Sequence, residues 1–289
     1  MSREKAIEEL LSAKLNKNIS ILRDDYVGGG SINDTRVFYT NEGAFFVKFN
    51  SASRFPGMFE KEARGLTLLS DADEIKVPRV IGFGESGDSA FLILNYIKSV
   101  SKKSGFWETF GKNLAALHRH TQAEFGLDHD NYIGSLPQRN RSHKTWADFF
   151  REERLEPQIS MAFNRGEIDR PVLIMFDRFF SKLEGLFPEE PPALVHGDLW
   201  SGNFMVDEKG EPVIIDPAVY YGHREMDLGM SRLFGGFDHR FYEAYHDSYP
   251  LEPGWQERLE YCNLYPLMVH VNLFGGGYAG SVKSILQQF

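Results

Sequence analysis

The sequence has little cysteine, no excess of basic residues and no long apolar run. Its single cysteine, Cys262, excludes an internal disulfide framework and a cysteine-based zinc site, and it favours a cytoplasmic protein. No apolar run approaches the roughly 18 residues of a membrane span. Acidic residues outnumber basic ones by 41 to 32, and the net charge of −9 argues against nucleic acid as the main partner.

In other respects the composition is that of an ordinary globular protein. Hydrophobic residues make up 42% of the chain and charged residues 25%, and 289 residues can form one large domain or two small ones. The first residues, Met1-Ser2-Arg3-Glu4-Lys5, indicate a charged amphipathic helix and not a signal peptide. The apolar positions of this helix recur at helical spacing: Ile7, Leu10, Leu11 and Leu15.

A glycine-rich segment, Gly28-Gly29-Gly30-Ser31, separates two short apolar runs, and the pattern predicts strand, loop and strand. Glycines let backbone amides approach a phosphate closely. The P-loop pattern is excluded because no Lys-Ser/Thr pair and no helix follow. A flexible hairpin turn explains the same residues, so both interpretations stay open at this point.

The third predicted strand, 44–49, is apolar except for Lys48. A buried, unpaired ammonium group costs free energy, although a lysine at a surface edge also fits the pattern. The next helix, predicted over 56–70, carries Glu62 on its apolar face, where a carboxylate needs a cation. That face is formed by Phe59, Ala63, Leu66 and Leu69. We therefore predict a Lys48–Glu62 ion pair.

Two further strands, predicted at 77–83 and 90–94, complete a set of five. Asn95, Tyr96 and Ile97 follow without periodicity, and the exposed backbone of such a connector can hydrogen-bond a nucleotide base. Mainly helices come after this point. We predict an α+β fold with two lobes, 1–97 and 98–289.

The second half centres on Val195-His196-Gly197-Asp198-Leu199-Trp200-Ser201-Gly202-Asn203. Two apolar runs around a polar turn follow, which predicts a hairpin with Asn203 before its first strand and Asp216 after its second. Two acids and an amide, Asp198, Asn203 and Asp216, are residue types that can supply a catalytic base and the ligands of a neighbouring metal ion. They are also the residue types that cap turns, which is the competing interpretation.

Other polar residues of the second half have structural explanations. Helices are predicted over 105–120, 146–162 and 171–187, with an irregular stretch at 126–145 that is long enough to indicate function. His118 is predicted to be a packed or polar-face histidine and not a ligand. Glu225 and Asp227 precede a helix that they can cap, and His270 and Asn272 interrupt an apolar run and can face a pocket.

Taken together, the glycine loop, Lys48, Glu62, Asp198, Asn203 and Asp216 follow one another in the order that phosphoryl transfer requires. In that scheme the loop covers phosphates and Lys48 contacts them, oriented by Glu62. Asn203 and Asp216 hold Mg²⁺, which prefers oxygen ligands, and Asp198 accepts a hydroxyl proton. Each motif is weak alone, and the shared order is what favours the scheme.

The same residues resemble the fructosamine kinase (ketosamine-3-kinase) family of the protein-kinase-like superfamily, which is related to aminoglycoside phosphotransferases. The resemblance covers about residues 5 to 288, and its most specific string is HGDLWSGN at 196–203. Further matches are Gly28-Gly29-Gly30-Ser31-Ile32, Phe46-Val47-Lys48, Met58-Phe59-Glu60-Lys61-Glu62, Ile133-Gly134, Pro137-Gln138, Trp146, Asp216-Pro217-Ala218, Tyr221-Gly222-His223, Phe234-Gly235-Gly236-Phe237 and Asn272-Leu273-Phe274-Gly275.

The resemblance implies ATP-dependent phosphorylation of the sugar C3 hydroxyl of ketosamines, free or on protein lysines, followed by release of the amine. It implies Asp198 as the catalytic base, Asn203 and Asp216 as Mg²⁺ ligands, and Lys48 with Glu62 as the ATP-positioning pair. It implies Asn95 to Ile97 as the adenine-binding connector. Trp200 is predicted to stack on the acceptor, with packing as the alternative, and Tyr221 and His223 are further candidates for acceptor contact.

Two departures from related families bear on regulation. Ser31 stands where eukaryotic members often have a cysteine, so regulation by a disulfide is doubtful here. Gly197 follows His196 where protein kinases usually have an arginine, and Pro217-Ala218 follows Asp216 in place of Phe-Gly. Control by loop phosphorylation is therefore not expected, and a small or peptide-sized acceptor is favoured. The rival functions are an aminoglycoside or aminoalcohol kinase and an inactive nucleotide-binding scaffold.

Overall fold

A computed structural model describes residues 2–28, 32–275 and 277–289. Three residues of the predicted phosphate-binding loop, Gly29, Gly30 and Ser31, lie outside the described residues. Within the described ranges, none of the helices combines the length and the apolar character needed to cross a membrane.

The first part of the chain contains the five predicted strands and two helices. In chain order they are α1 (Arg3–Leu15), β1 (Ile21–Tyr26), β2 (Asp34–Thr40), β3 (Gly43–Ser51), α2 (Met58–Ala72), β4 (Val80–Ser86) and β5 (Ser89–Asn95). The strands form one antiparallel sheet in the order β1-β2-β3-β5-β4. The predicted helix over 3–15 and the set of five strands are confirmed.

The remaining elements are mainly helical. They are α3 (Phe106–Leu117), β6 (Asn131–Ile133), β7 (Leu136–Gln138), α4 (Trp146–Phe149), a π-helical segment (Phe150–Leu155), α5 (Glu156–Asn164), α6 (Arg170–Phe180), a 3₁₀ turn (Leu183–Gly185), β8 (Ala193–Val195), β9 (Phe204–Val206), β10 (Pro212–Ile214), β11 (Tyr220–Gly222), α7 (Glu225–Leu233), α8 (His239–Ser248), α9 (Trp255–Cys262), α10 (Leu264–Phe274) and α11 (Gly277–Leu286). The α+β class predicted from the sequence is confirmed.

The chain forms two compact units. The first unit comprises 1–106 and 205–216, and the second comprises 107–204 and 217–289. The segment 205–216 carries most of the predicted hairpin, in which β9 pairs with β10. Ion pairs of Lys76 with Asp207 and of Lys103 with Glu211 attach it to the rest of the first unit. The division of function at 97/98 stays a prediction.

The two faces of the sheet in the first unit pack against different helices. Side chains alternate between the faces of a strand, so Phe45, Val47 and Phe49 of β3 pack in one cluster with Ile7 and Leu11 of α1. The other face packs against α2 in a second cluster, and Phe46 of β3 packs against this cluster, which contains Phe59, Ala63, Leu66, Ala90, Leu92 and Leu94. The alternation therefore assigns Lys48 to the face that receives α2.

Two predicted segments of the second unit were partly wrong. The irregular stretch 126–145 contains a hairpin, because β6 pairs with β7. The helix expected over 171–187 ends at Phe180, and a 3₁₀ turn follows. The helix expected over 146–162 is present as α4, the π-helical segment and α5 in succession. Strands of three residues are too short to produce a measurable alternation, which is why the hairpin was missed.

Candidate active site

The first unit contains a buried ammonium group shared by two carboxylates. Lys48 Nζ lies 2.6 Å from Glu62 Oε1 and 2.6 Å from Asp216 Oδ1, and the lysine side chain is only 3% exposed. Lys48 pairs with Leu92 across β3 and β5, which fixes its backbone inside the sheet. The predicted Lys48–Glu62 ion pair is confirmed, and Asp216 is a second partner that the sequence did not indicate.

The charges of this cluster stabilise one another unequally. Burial acts to lower the pKa of Lys48, but the charges of Asp216 and Glu62 outweigh it and the pKa is raised. Burial raises the pKa of Glu62; Lys48 opposes this shift and the negative charge of Asp216 adds to it. One ammonium group thus serves two acids, so Lys48 is firmly protonated whereas Glu62 is only partly compensated.

Asp216 combines an exposed carboxylate with an unusual backbone conformation. Its side chain is 47% exposed, although its Oδ1 contacts the buried Lys48. Its φ of 55° lies in the left-handed region, which aspartate tolerates better than most residues. Asp216 lies two residues after the end of β10, and Ile214 at that end donates its backbone N–H to Lys76 O. The carboxylate is therefore held at a defined point while one side remains open.

The predicted adenine-binding connector begins at the end of β5, where a hydrogen bond anchors its first residue. Asn95 ends β5, and its Oδ1 accepts the backbone N–H of Arg79. Tyr96 is exposed and Ile97 is half-buried. Gly28 is the described residue of the predicted glycine loop, and Val27 just before it donates its N–H to Thr35 O. Roles in nucleotide binding for all four residues stay predictions.

The second unit holds Asp198 through its own neighbours. The Asn203 amide donates both to the Asp198 backbone oxygen, at 2.8 Å, and to Asp198 Oδ2, at 2.9 Å. The Asp198 N–H donates to His196 Nδ1. All three bonds lie within the segment 196–203, so the loop orients its own carboxylate. The turn-capping interpretation is partly right, because these bonds do fix a turn.

Gly197 is required by the backbone of this loop. Its φ of 83° is left-handed, and an added Cβ would lie 2.1 Å from Ala218 O. That contact is with main chain and cannot be relieved by moving a side chain. The Ala218 N–H donates to His196 O beside it, which joins the loop to the segment before β11. A larger residue at 197 would therefore displace the loop that carries Asp198.

Asp227 anchors the loop 196–203 through main-chain hydrogen bonds, a role that the sequence did not indicate. Its Oδ2 accepts the His196 N–H at 2.7 Å, and its Oδ1 accepts the Gly197 N–H at 2.9 Å. His118 Nε2 lies 3.1 Å from Oδ2, and His118 Nδ1 lies 2.8 Å from the Tyr245 hydroxyl. Burial acts to raise the pKa of Asp227, but its bond to His118 and the loop amides lower it. The carboxylate is thus held as a buried anion.

The interpretation that Glu225 and Asp227 precede and cap a helix is wrong, because both residues lie inside α7. Arg224, at the N-cap position, makes no side-chain cap bond, and the Glu225 N–H donates to His223 Nδ1. Asp227 binds the amides of another segment, and Glu225 is buried in an ion pair with Arg258 at 2.6 Å. The prediction that His118 packs is confirmed by its burial. A signal was present for Asp227, since an acid on an otherwise buried helix needs a partner, but two of its partners are main-chain N–H groups and the third is His118.

A buried amide network supports the segment after Asp216. Gln138 Nε2 donates to Ala218 O and to Asn131 Oδ1, and the Asn131 amide donates to Val219 O. Tyr265 donates its hydroxyl to Gln138 Oε1. The irregular stretch 126–145 was predicted to carry function because of its length. The structure indicates that Gln138 and Asn131 position main chain.

The three predicted acceptor-contact residues differ in accessibility. Trp200 is half-buried and meets Phe234 edge-to-face, with ring centroids 6.0 Å apart. Tyr221 is half-buried in β11. His223 is buried beside Trp146 and Phe187, and burial lowers its pKa to about 4. This burial argues against direct contact between His223 and an acceptor, whereas Trp200 and Tyr221 remain partly exposed.

Comparison with known proteins shows the family to which this chain belongs. The model of the fructosamine kinase family matches residues 3–289. The chain belongs to that family. It is 43% identical over 266 residues to the probable ketoamine kinase slr1563 of Synechocystis sp., a match that spans 91% of this chain and 88% of the relative. It is 38% identical to the chloroplastic protein-ribulosamine 3-kinase of Oryza sativa subsp. indica, with 91% of this chain and 77% of that protein covered.

A solved structure extends the agreement to the fold of this fructosamine kinase family member. The crystal structure of a protein assigned as a fructosamine-3-kinase from Haemophilus somnus 129PT superposes with a TM-score of 0.89 at 28% identity, covering 98% of this chain and 96% of that one. The protein-kinase-like fold predicted from the sequence is therefore confirmed. The chain is an ATP-dependent phosphotransferase with an alcohol group as acceptor.

The oxygen donors of this family member fit a hard cation. Asp216 presents an open carboxylate in the first unit. In the second unit, Asn203 uses its amide N–H groups on Asp198, which leaves its carboxamide oxygen for another partner. Carboxylate and amide oxygens are the ligands that Mg²⁺ accepts in phosphoryl-transfer enzymes. The residues present are thus chemically suited to Mg²⁺.

Proposed function

We propose that this chain phosphorylates the C3 hydroxyl of the sugar in ketosamines, either free or attached to protein lysines, and so promotes their deglycation. The observation that carries the proposal is the orientation of Asp198 by Asn203 within a loop anchored on Asp227. The names of the relatives in Synechocystis and rice, a ketoamine kinase and a protein-ribulosamine 3-kinase, support this acceptor class.

In this proposal the nucleotide is bound by residues 1–97. Lys48, held by Glu62, contacts the α- and β-phosphates, and Asn95, Tyr96 and Ile97 bind adenine through the backbone. Gly28, Gly29, Gly30 and Ser31 cover the phosphates. When bound, Mg²⁺ held by Asn203 and Asp216 neutralises phosphate charge. The supporting observation is the burial of the Lys48 ammonium group between Glu62 and Asp216.

Residues 98–289 bind the acceptor in this proposal. Asp198 takes the proton of the C3 hydroxyl as the hydroxyl oxygen bonds to the γ-phosphorus of ATP, and the bond from that phosphorus to the β,γ-bridging oxygen breaks to release ADP. Trp200 contacts the sugar. The bond from Asn203 to Asp198 Oδ2 fixes the orientation of the carboxylate, which supports its role as the base. Tyr221 remains a candidate for acceptor contact. The cytoplasmic location stays a prediction.

A single assay tests the acceptor class. ATP consumption is measured with a ribulosamine, a fructosamine, an erythrulosamine and kanamycin, and the position of the phosphate is determined on the product. We expect turnover of at least one ketosamine, with phosphate on the C3 oxygen, and none of kanamycin. Turnover of kanamycin alone would overturn the proposal, and phosphate on another hydroxyl would correct the site of transfer.

A further inference from the structure

Beside the loop that carries Asp198, the second unit has a run of aromatic rings that the proposed chemistry does not use. Phe234 directly follows α7, His270 and Phe274 lie one helical turn apart on α10, and Tyr278 lies near the start of α11. We call these four residues the aromatic wall. The wall is joined to the loop twice, because Trp200 meets Phe234 edge-to-face and Ser201 donates its hydroxyl to Phe234 O at 3.2 Å.

The rings of the aromatic wall are in continuous contact. His270 is the central ring, with centroids 4.8 Å from Phe234, 5.0 Å from Tyr278 and 5.4 Å from Phe274. Spacings of this size are those of interacting aromatic pairs. A molecule with one end at Asp198 and Trp200 therefore has an unbroken aromatic surface along which its other end can lie.

The aromatic wall is more open than the aromatic core of the same unit. Phe110, Phe149, Phe176 and Phe179 are fully buried, whereas Phe274 is 55% exposed and the other members of the wall are half-buried. The neighbours of His270 on α10, from Leu264 to Val269, are buried. The helix thus turns two rings to its open side. A cluster of large, partly exposed apolar groups of this kind marks a binding surface.

His270 gives the aromatic wall a hydrogen-bond acceptor. Its Nδ1 lies 2.7 Å from Pro266 O, so Nδ1 carries the proton and donates, and Nε2 carries the lone pair. Burial lowers the pKa of His270, which keeps the ring neutral near pH 7. A neutral imidazole nitrogen among ring faces accepts an N–H donor, and the faces themselves attract alkyl chains and cations.

We propose that the aromatic wall is the subsite for the substituent on the amine nitrogen of the acceptor, with its alkyl chain over Phe234, Phe274 and Tyr278 and one of its N–H groups donating to His270 Nε2. This inference rests on the proposed function. The ligand class is a lysine-like alkylamine: several methylenes followed by an amide or ammonium N–H. The sugar at Asp198 sets the reaction, and the aromatic wall selects the amine to which that sugar is attached.

The experiment compares two acceptors with the same sugar. One is the fructosyl adduct of methylamine, and the other is the ε-fructosyl adduct of Nα-acetyl-lysine amide. For the unaltered chain we expect kcat/KM to favour the lysine adduct by about tenfold or more, since buried methylenes each contribute to binding. The ratio is taken within each variant, so a general loss of activity cancels. A ratio near one for the unaltered chain would overturn the inference.

Substitutions then separate the parts of the aromatic wall. Phe274→Ala should reduce the kcat/KM ratio of the lysine adduct to the methylamine adduct by about fivefold. His270→Phe keeps a ring but removes the hydrogen-bond acceptor, and it should also reduce the ratio by about fivefold, which corresponds to the loss of one hydrogen bond. Phe163→Ala is the matched control, because Phe163 is an exposed aromatic residue of the same unit (37% exposed) outside the aromatic wall. An unchanged ratio in both Phe274→Ala and His270→Phe would show that these rings do not bind the substituent.

Binding measured without turnover distinguishes this inference from the proposed function. Titration calorimetry gives the affinity of each adduct in the absence of ATP. A tighter lysine adduct together with no phosphorylation of either sugar would overturn the proposed function and keep the subsite. Turnover of both sugars with equal affinities would do the reverse.

Discussion

The two units fix their predicted catalytic groups by different means. In the first unit Lys48, Glu62 and Asp216 hold one another through direct ion pairs between side chains. In the second unit Asp198 is held by amide and backbone bonds from its own loop, and the loop is held by Asp227 through two main-chain N–H groups.

This difference determines where substitutions should act. In the ion-pair cluster, removing one charge changes the charge balance of the other two, so function is affected directly. In the loop that carries Asp198, the supporting residue Asp227 binds the main chain and so acts on the base through the position of the backbone. Loss of a supporting residue should therefore alter stability and catalysis together, whereas loss of the base itself should spare the structure.

The largest effect is expected at the base. Asp198→Asn should lower kcat by about 10³-fold, because an amide cannot accept the hydroxyl proton and general bases contribute about 10² to 10⁴. Affinity for ATP, measured by calorimetry, should remain within about threefold of the original. Retained turnover would remove Asp198 as the base. Loss of ATP binding together with turnover would show that the loop had collapsed.

A smaller effect is expected in the ion-pair cluster. Lys48→Ala should lower kcat/KM for ATP by about 10²-fold, since it removes the ammonium group and leaves the buried Glu62 uncompensated. Glu62→Gln should cost less, because Asp216 still holds the ammonium. Lys14→Ala, at an exposed position of α1, is the matched control. Equal activity of Lys48→Ala and Lys14→Ala would contradict the role given to the cluster.

Asp227 should combine a moderate loss of activity with a loss of stability. Asp227→Asn keeps the shape but removes the charge that binds the His196 and Gly197 amides, so we expect a free energy of unfolding lower by about 3 kcal/mol and a kcat lower by about tenfold. Urea unfolding and kcat are measured on the same preparation. Asp247→Asn, at an exposed position of α8, should change neither. Unaltered stability of Asp227→Asn would show that the loop does not depend on this carboxylate.

The same contrast explains how much the sequence could predict. Lys48 and Glu62 each interrupt an apolar pattern, and two charged side chains that compensate each other leave a visible mark in the sequence. Asp227 binds a main-chain group 30 residues away and Gln138 binds one 80 residues away. A main-chain group has no sequence signature. The sequence therefore predicted the five-stranded sheet, most helices and the Lys48–Glu62 ion pair, but not the residues that position the Asp198 loop.

The smallest effect concerns a buried group that takes no part in either arrangement. Burial lowers the pKa of His223 to about 4 in the folded chain, against about 6.5 when unfolded. Between these values the unfolded chain binds the extra proton and the folded chain does not, so stability is complete above pH 6.5 and is lost as pH falls towards 4.

His223→Gln should remove this part of the pH dependence. From pH 7 to pH 5 the free energy of unfolding of the unaltered chain should fall by roughly 2 kcal/mol more than that of the variant, as measured by urea unfolding at both pH values. His239→Gln is the control, because the His239 side chain is 76% exposed, and its pH dependence should match that of the unaltered chain. If His223→Gln keeps the full pH dependence of the free energy of unfolding, then His223 is protonated in the folded chain above pH 5. The buried site beside Trp146 and Phe187 would then accommodate its charge.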